Sequence, residues 1–509
     1  MKTEYDIIIV GSGMGGLVSA VILAKEGLRV CVLEKNNQYG GCLQTFAREK
    51  SIFDTGVHYI GSLDEGENLH QYFKYLGILD DLRLSKMEEK FDYITFEGDE
   101  IQYPYTQGYD NFVRELESFF PEEKEAIAKY AATLQKVCLA FPLYNLQQDE
   151  DAYNQEYLST SVKEFLDSIT ENEKLKSVLA GTNLLYAGDG EKTPLYIHAL
   201  TVNSYIKSAW RCIFGGSQIT KALVKQLRKY GGDIFKRQEV TEFIFEDDTP
   251  IGVKTIHGDI INGKTFVVNL ELNAAIKIIG EQHFRKSFTK RIQDLEVTTS
   301  SFSVHIKFKP ETFSYLNHNI YHFNSPETVW TAAQNKGENW PEMYMLSMGT
   351  TEKAQKFADH LSILTYMDFE KVKAWENTIN TVVDRNKRGE AYEKFKQEHI
   401  EKVVVEIEKK FPNIRKSIHS IHASTPLSFR DYIGGKNGNM YGFVKDAKNP
   451  LKSFVYPKTK IPNLFLTGQS VNLHGILGTT IGAVATCSEI LGDNSLINKI
   501  NLELNEIQS

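Results

Sequence analysis

YDIIIVGSGMGGLVSAVILAKEGLRVCVLE, residues 5–34, reads as strand, glycine turn, helix and second strand. Tyr5 to Val10 is an apolar, largely β-branched run, the composition of a strand buried on both faces. Gly11, Gly13 and Gly16 then supply G-x-G-x-x-G. In that pattern the first glycine makes the tight turn, the second lets backbone approach a pyrophosphate, and the third lets helix pack on strand. The spacing predicts a helix over Leu17 to Lys25, ended at Gly27, and a strand from Leu28 to Leu33. A helix N-terminus offers phosphate unpaired N–H groups and a favourable dipole. Glu34 stands about twenty residues after Gly13, near the spacing at which an acid accepts hydrogen bonds from an adenosine ribose. Strand, helix, second strand and terminal acid together predict a dinucleotide site, and these residues suit FAD as well as NAD.

The chain has 509 residues, length for about three domains and volume for a buried cofactor cavity. Apolar residues make up 41% and charged residues 24%, a globular composition. A formal net charge of −8 argues against a nucleic-acid partner, although a local basic patch can still meet anionic lipid. Cys31, Cys42, Cys138, Cys212 and Cys487 show neither disulfide nor metal-site spacing, which predicts a reducing compartment and no metal centre. Asp6 interrupts the N-terminal apolar run, so no signal peptide is read there. Leu473 to Leu491 is the strongest candidate for a membrane span. It carries His474, Glu489 and three glycines, and reads instead as a helix buried in protein. The expectation is a cytoplasmic protein, soluble or held peripherally on the inner face of a membrane.

Beyond Glu34, the pair Gly40-Gly41 lets backbone come close to a ligand. Phe53 to Gly61, FDTGVHYIG, packs an acid, a hydroxyl, a histidine and a phenol into one glycine-punctuated segment. From about Asn68 to Ala209 the sequence turns helical and aromatic-rich. Apolar residues near three- and four-residue spacing in Asn111 to Phe141 predict amphipathic helices about Pro121, and Glu171 to Trp210 has the makings of an apolar pocket lining. The nucleotide-type pattern then resumes, with a helix over Gln218 to Tyr230, a strand-like Asp233 to Phe245, a hairpin at Gly252 to His257 and Ile260 to Asn262, and a strand at Thr265 to Leu270. Phe302 to Phe308, Tyr344 to Met348 and Leu361 to Tyr366 read as strands, and Lys371 to Lys410 as a charged, solvated helix. Arg430 and Asp431 are positioned to pair with each other. Asn463 to Thr467 is a strand ending in glycine, followed from Thr479 by a small-residue helix whose N-terminus is free to face a ligand.

Taken together and in order, these stretches resemble the FAD-dependent phytoene desaturase superfamily, and within it the retinol saturase and carotenoid isomerase branch. The resemblance rests on the opening fingerprint, the Gly40-Gly41 pair, FDTGVHYIG at 53–61, GGSQITKAL at 215–223 with GGDI at 231–234, FRDYIGGKNGNMYG at 429–442 and LFLTGQSVNLHGILGTTIGA at 464–483. The resemblance implies an α/β fold, a discontinuous Rossmann-like FAD-binding domain with an inserted α+β substrate domain. Residues 1–67, 210–290 and 436–509 would build the FAD domain, 68–209 a helical-rich region facing substrate and membrane, and 291–435 a substrate-binding unit of sheet plus helices. The implied cofactor is FAD. Gly11, Gly13 and Gly16 would approach its pyrophosphate, Glu34 with Lys35 the adenosine ribose, Gly41 with Thr45 the path to the flavin, and Val240 the adenine side. Gly468, Gln469, Gly478, Thr479 and Ile481 would hold the pyrophosphate, ribityl chain and ring. Many relatives carry a basic residue after the glycine pair, where this chain has Cys42.

The resemblance further implies an oxidoreductase acting on carbon–carbon bonds of an apolar polyene, with saturation as the leading expectation and desaturation or isomerisation as alternatives. Flavin amine oxidases are similar chiefly at the N-terminal fingerprint. A carrier of isoprenoids is the alternative of another class, because Rab escort and GDP-dissociation-inhibitor proteins share the architecture. No second G-x-G-x-x-G follows a strand, so electrons would come from, or go to, an external partner. Reducing a double bond takes a hydride on one carbon and a proton on its neighbour. His58, Tyr59 and His474 are the candidate proton donors, being titratable groups in glycine-rich segments expected to close on the flavin.

Overall fold

The computed structural model describes residues 4–148, 155–334, 339–383, 388–471, 473–492 and 495–508. Its organising element is a sheet ordered Asp233–Lys236, Val30–Glu34, Glu4–Val10, Ile260–Val268, Thr249–Thr255 and Val240–Glu246, with Leu464–Leu466 pairing parallel to the far end of Ile260–Val268. The opening strand runs parallel to Val30–Glu34 on one side and to Ile260–Val268 on the other. Alternation then sorts its side chains. Ile7 and Ile9 enter the apolar core on one face, and Tyr5, Ile8 and Val10 the core on the other. A strand buried twice over needs that continuous apolar run.

Helix Met14–Lys25 and helix Gly475–Leu491 lie against each other on one face of this sheet. Segments more than four hundred residues apart therefore build one layer, and the chain closes its first domain with its last strand and helices. The predicted strand from Asp233 to Phe245 divides into Asp233–Lys236 and Val240–Glu246, with Arg237 between them at φ +58. That turn carries the chain from the parallel edge of the sheet to its antiparallel one. The predicted hairpin arm and the strand after it are in fact one strand, Ile260–Val268, which pairs antiparallel with Thr249–Thr255 through its first half and parallel with Leu464–Leu466 through its second.

A second sheet runs Ile418–Ser424, Ser300–Phe308, His360–Met367, Met343–Met348, Asn319–Phe323, Lys90–Phe96 and Tyr103–Thr106. Its last two strands come from within 68–209, which is stitched into the sheet by the parallel pairing of Lys90–Phe96 with Asn319–Phe323. The rest of 68–209 folds largely into helices, among them Tyr109–Phe119, Lys124–Leu139 and Leu195–Lys207, which share their apolar core with the first sheet. Among the described residues, no single helix is long and apolar enough to cross a membrane.

Candidate active site

The glycine turn is fixed by contact as well as by conformation. Gly11 has φ +99, and a Cβ there would sit 2.6 Å from Asn269 O; at Gly16 it would sit 2.2 Å from Gly11 O. Gly16 is thus the packing glycine, as its place in the motif predicts. Helix Met14–Lys25 begins at Gly13 with no side chain capping its first turn, which leaves those N–H groups for an anion. Gly40, at φ +114, bridges to Gly13, and a Cβ on Gly41 would lie 3.1 Å from Gly13 Cα. The second glycine pair therefore presses on the first.

Glu34 ends its strand buried. One carboxylate oxygen accepts from Ser12 N at 3.1 Å and Ser12 Oγ at 2.5 Å, and the other from Asn36 N at 2.8 Å. Ser12 Oγ accepts in turn from Gly40 N at 3.1 Å. The acid is held in place by the turn itself.

A single cleft starts at these residues, with about 2170 Å³ of empty space counting the part open to solvent. Gly11, Gly13, Glu34, Lys35 and Gly41 border one end, and Gly468, Gln469, Gly478, Thr479 and Ile481 close over it from the distant C-terminal segment. The second helix reaches it earlier than the sequence reading placed it, beginning at Gly475 rather than Thr479, with His474 at its N-cap. Lys35 donates to Asp431 O at 3.2 Å.

Three residues assigned to the cofactor do not border the cleft. Gly16 faces the Gly11 carbonyl and the Asn269 side chain. Thr45 lies in the Thr45–Arg48 strand and donates to Ser217 Oγ at 3.1 Å, so its hydroxyl serves a contact to the start of helix Ser217–Lys229. Val240 has its side chain in the core with Phe243 and Val253; nearby backbone does follow the Glu34 end, where Gln238 N donates to Glu34 O at 2.8 Å.

Asn269 went unread in the sequence. It follows directly on strand Ile260–Val268 and wedges between three glycines. Its Nδ2 donates to Gly11 O at 3.3 Å, and Cβ atoms on Gly15 and Gly468 would come within 3.1 and 2.4 Å of its Oδ1. The available signal was a short amide at the end of a buried strand, legible only once that strand is known to lie beside the glycine turn.

His58, Tyr59 and His474 all border the same cleft. Burial pushes both histidines down to about 4, so at neutral pH they are uncharged. His474 Nε2 donates to Leu185 O at 3.2 Å, which fixes that tautomer and leaves no second N–H. Among the described residues, His58 Nε2 is buried with no hydrogen-bond partner, and Arg211 Nη1 donates to the His58 carbonyl at 3.3 Å. Neither ring is a ready acid. Tyr59 donates from Oη to Asp92 Oδ2 at 2.8 Å and lies 2.7 Å from Tyr321 Oη. Beyond these residues the cleft runs between apolar side chains, Leu184, Leu185, Ile197, Leu200, Met345 and Leu364.

The family model for flavin containing amine oxidoreductases matches residues 14–376. The chain belongs to this family. The flavoprotein's likeness to amine oxidases thus reaches far beyond the N-terminal fingerprint to which the sequence reading confined it. Over 559 aligned residues it is 26% identical to an all-trans-retinol 13,14-reductase of Danio rerio, covering 98% of this chain and 88% of that protein. A chloroplastic prolycopene isomerase of Daucus carota is 24% identical, over 97% of this chain and 81% of the relative. Among solved structures, cyclohexylamine oxidase from Brevibacterium oxydans superposes with a TM-score of 0.61 at 15% identity, over 99% of this chain and 100% of its own, and shows the same fold. The protein is an FAD-dependent oxidoreductase. Its residues fit that cofactor: an uncapped helix start and a glycine cradle that side chains would fill suit the pyrophosphate, and a preset acid suits the ribose.

Proposed function

We propose that the flavoprotein saturates a carbon–carbon double bond in an apolar, retinoid- or carotenoid-like polyene. The observation that carries this reading is the continuity of the cleft, which passes from the glycine cradle directly into the space between Leu184, Leu185, Ile197, Leu200, Met345 and Leu364. An extended apolar chain fills such a channel, and burying its carbons gains about 25 cal/mol per Å². Flavin, when bound, supplies hydride chemistry. The protein's own groups hold the chain against it, exclude water and deliver the proton. Relatives that act on retinol and on prolycopene over nearly the whole length support the substrate class. They also support the second reading, redox-neutral isomerisation of a carotenoid.

Anaerobic incubation of dithionite-reduced holoenzyme with a panel of polyenes, followed by mass spectrometry, tests the proposal. A gain of two hydrogens is the expected result. Unchanged mass with altered retention would establish isomerisation, and turnover only by the oxidised form would establish desaturation. An external redox partner sustains turnover in each redox reading. Peripheral membrane contact is expected from the partitioning of such substrates. The protein is expected to float with liposomes; recovery wholly in the dense fraction would reject attachment.

A further inference from the structure

We propose that Asp92, which lies outside the cleft, forms with Tyr59 the pair that delivers the proton to the substrate. The proposal rests on the saturation reading and adds to it the source of the second hydrogen.

Asp92 sits wholly buried in strand Lys90–Phe96, and its two oxygens have different partners. Oδ1 accepts from Asn319 Nδ2 at 2.8 Å, and Oδ2 meets Tyr59 Oη at 2.8 Å. Tyr59 Oη also meets Tyr321 Oη at 2.7 Å. Tyr59 alone of these borders the cleft.

Besides Tyr59, the groups facing Asp92 come from four neighbouring elements. Asn319 and Tyr321 lie on the strand beside it, and Tyr105 pairs with it across the other edge. Tyr105 Oη is committed to the carbonyls of Val178 and Leu179, at 2.9 and 2.7 Å. Tyr205, on helix Leu195–Lys207, holds its ring 4.3 Å from that of Tyr59, tilted by 34°. Arg211 is the one cation; it is buried, reaches Asn319 Oδ1 at 2.9 Å and Ser347 Oγ at 2.8 Å, and makes no ion pair with the carboxylate among the described residues. An acid this dry is poorly stabilised as an anion. Burial raises Asp92 to about 7, against the weaker pull of Asn319, Tyr59 and the Arg211 charge.

Protonation changes the direction of the hydrogen bond. A carboxylate only accepts, so it holds the Tyr59 hydrogen away from the substrate. A carboxylic acid donates through Oδ2 to Tyr59 Oη; with Tyr321 Oη, 2.7 Å away, donating to the same oxygen, the Tyr59 hydrogen is left free for the cleft that Tyr59 borders. In the reductive step Tyr59 gives that proton to the alkene carbon adjacent to the one that takes a hydride from reduced flavin. The O–H bond of Tyr59 breaks as the new C–H bond forms, and the Asp92 proton moves to the Tyr59 oxygen. The double bond gains two electrons and two hydrogens, the flavin loses two electrons, and Asp92 is left as carboxylate until solvent reprotonates it.

Single-turnover reduction of a polyene by anaerobic reduced holoenzyme, measured against pH, tests the pair. The wild-type rate is expected to fall about tenfold per pH unit above about 7, as the donating form is lost. Asp92→Asn keeps a donor beside Tyr59 but has no proton to pass on; it should react several-fold slower at low pH and show no fall at high pH. Tyr59→Phe should lose about 100-fold or more at every pH while keeping its flavin absorbance. A wild-type pH profile in Asp92→Asn, or an unimpaired Tyr59→Phe, would overturn the proposal. Infrared difference spectra of the FAD-loaded protein without substrate give a readout independent of turnover. A protonated-carboxyl band that titrates near neutral pH and is missing in Asp92→Asn supports the pair, and its absence overturns it. Failure of every polyene to gain two hydrogens would remove the saturation reading and with it the proton delivery, whereas failure of the pair alone shows as polyene reduction with no Asp92 carboxyl band.

Discussion

A methyl group at Gly16 collides with Gly11 O at 2.2 Å, whereas one at Gly27 meets nothing within 4 Å but must adopt φ +82. The two glycines therefore answer to different physics. Gly16→Ala has to push helix Met14–Lys25 off its strand, at a cost of about 1–3 kcal/mol, and should purify without flavin. Gly27→Ala carries only the left-handed backbone, about 1–2 kcal/mol, and should stay yellow. Urea midpoints and flavin absorbance read both. At Asn269 the shape is kept and the charge changed: Asn269→Asp sets an anion beside Gly11, Gly15 and Gly468, the cradle for a dianionic pyrophosphate. FAD affinity, titrated into apoprotein, should drop at least tenfold, or about 1.4 kcal/mol; undiminished affinity would remove Asn269 from the cradle. Gly11, Gly13 and Glu34 were legible because their partners lie within one βαβ unit. Asp92 was not, because residues 90–96 fall in the stretch read as helical and aromatic-rich and their place in the second sheet is set by pairing with Asn319–Phe323; Asn269 was not, because its partner Gly11 lies 258 residues earlier in the chain.

Helix Pro426–Ile433 shows the same limit at the level of an element. Its Arg430 and Asp431 do pair, at 2.6 Å, as their sequence suggested, but the pair is part of a larger junction. Asp431 also binds Arg388 and accepts from Asn380 N at 2.8 Å, while Arg430 takes up the carbonyls of Glu376 and Thr378. Over the stretch predicted as a helix from Lys371 to Lys410, the described residues form a short 3-10 helix, Phe369–Trp375, and the helix Glu390–Lys410, which starts after Gly389 at φ +84; 384–387 lie outside the described residues. Charge pattern predicted one continuous element, and the contacts of Arg430 and Asp431 fall on the stretch between these two helices. The Asp431 and Arg388 side chains are 1% and 3% exposed. Asp431→Ala leaves two guanidinium groups without their anion and should cost about 3–5 kcal/mol, seen as a lower urea midpoint with unchanged slope. Because Lys35 and Asn36 donate to the carbonyls of Asp431 and Tyr432, flavin retention should weaken with it.

Across the whole molecule, titration couples the two sheets and the helices through buried histidines. His58 and His474 line the cleft. His198, on helix Leu195–Lys207, is held between Tyr130 Oη and Tyr186 Oη, each at 2.8 Å, and His305 contacts Ser362 Oγ at 3.0 Å in the second sheet. Burial lowers all four, His58 and His474 to about 4 and His198 and His305 to about 3, from an ordinary 6.5. A group whose folded value is depressed stabilises the fold above its unfolded value and loses that contribution as pH falls toward the folded one. Each histidine thus withdraws support between about 6.5 and about 4. Asp54 and Asp92 act oppositely in an overlapping window. Burial raises both to about 7 from 3.8, so they favour the fold at low pH and oppose it increasingly as pH rises toward 7. Four groups outweigh two, and the urea midpoint should fall steadily on acidification from about pH 6.5 to about pH 4.5. Replacing both carboxyls in Asp54→Asn, Asp92→Asn removes the opposing contribution. The double variant should lose stability more steeply over the same range, and a midpoint that stays level in wild type and variant alike would show that the histidines are already relieved of their burial in the native state.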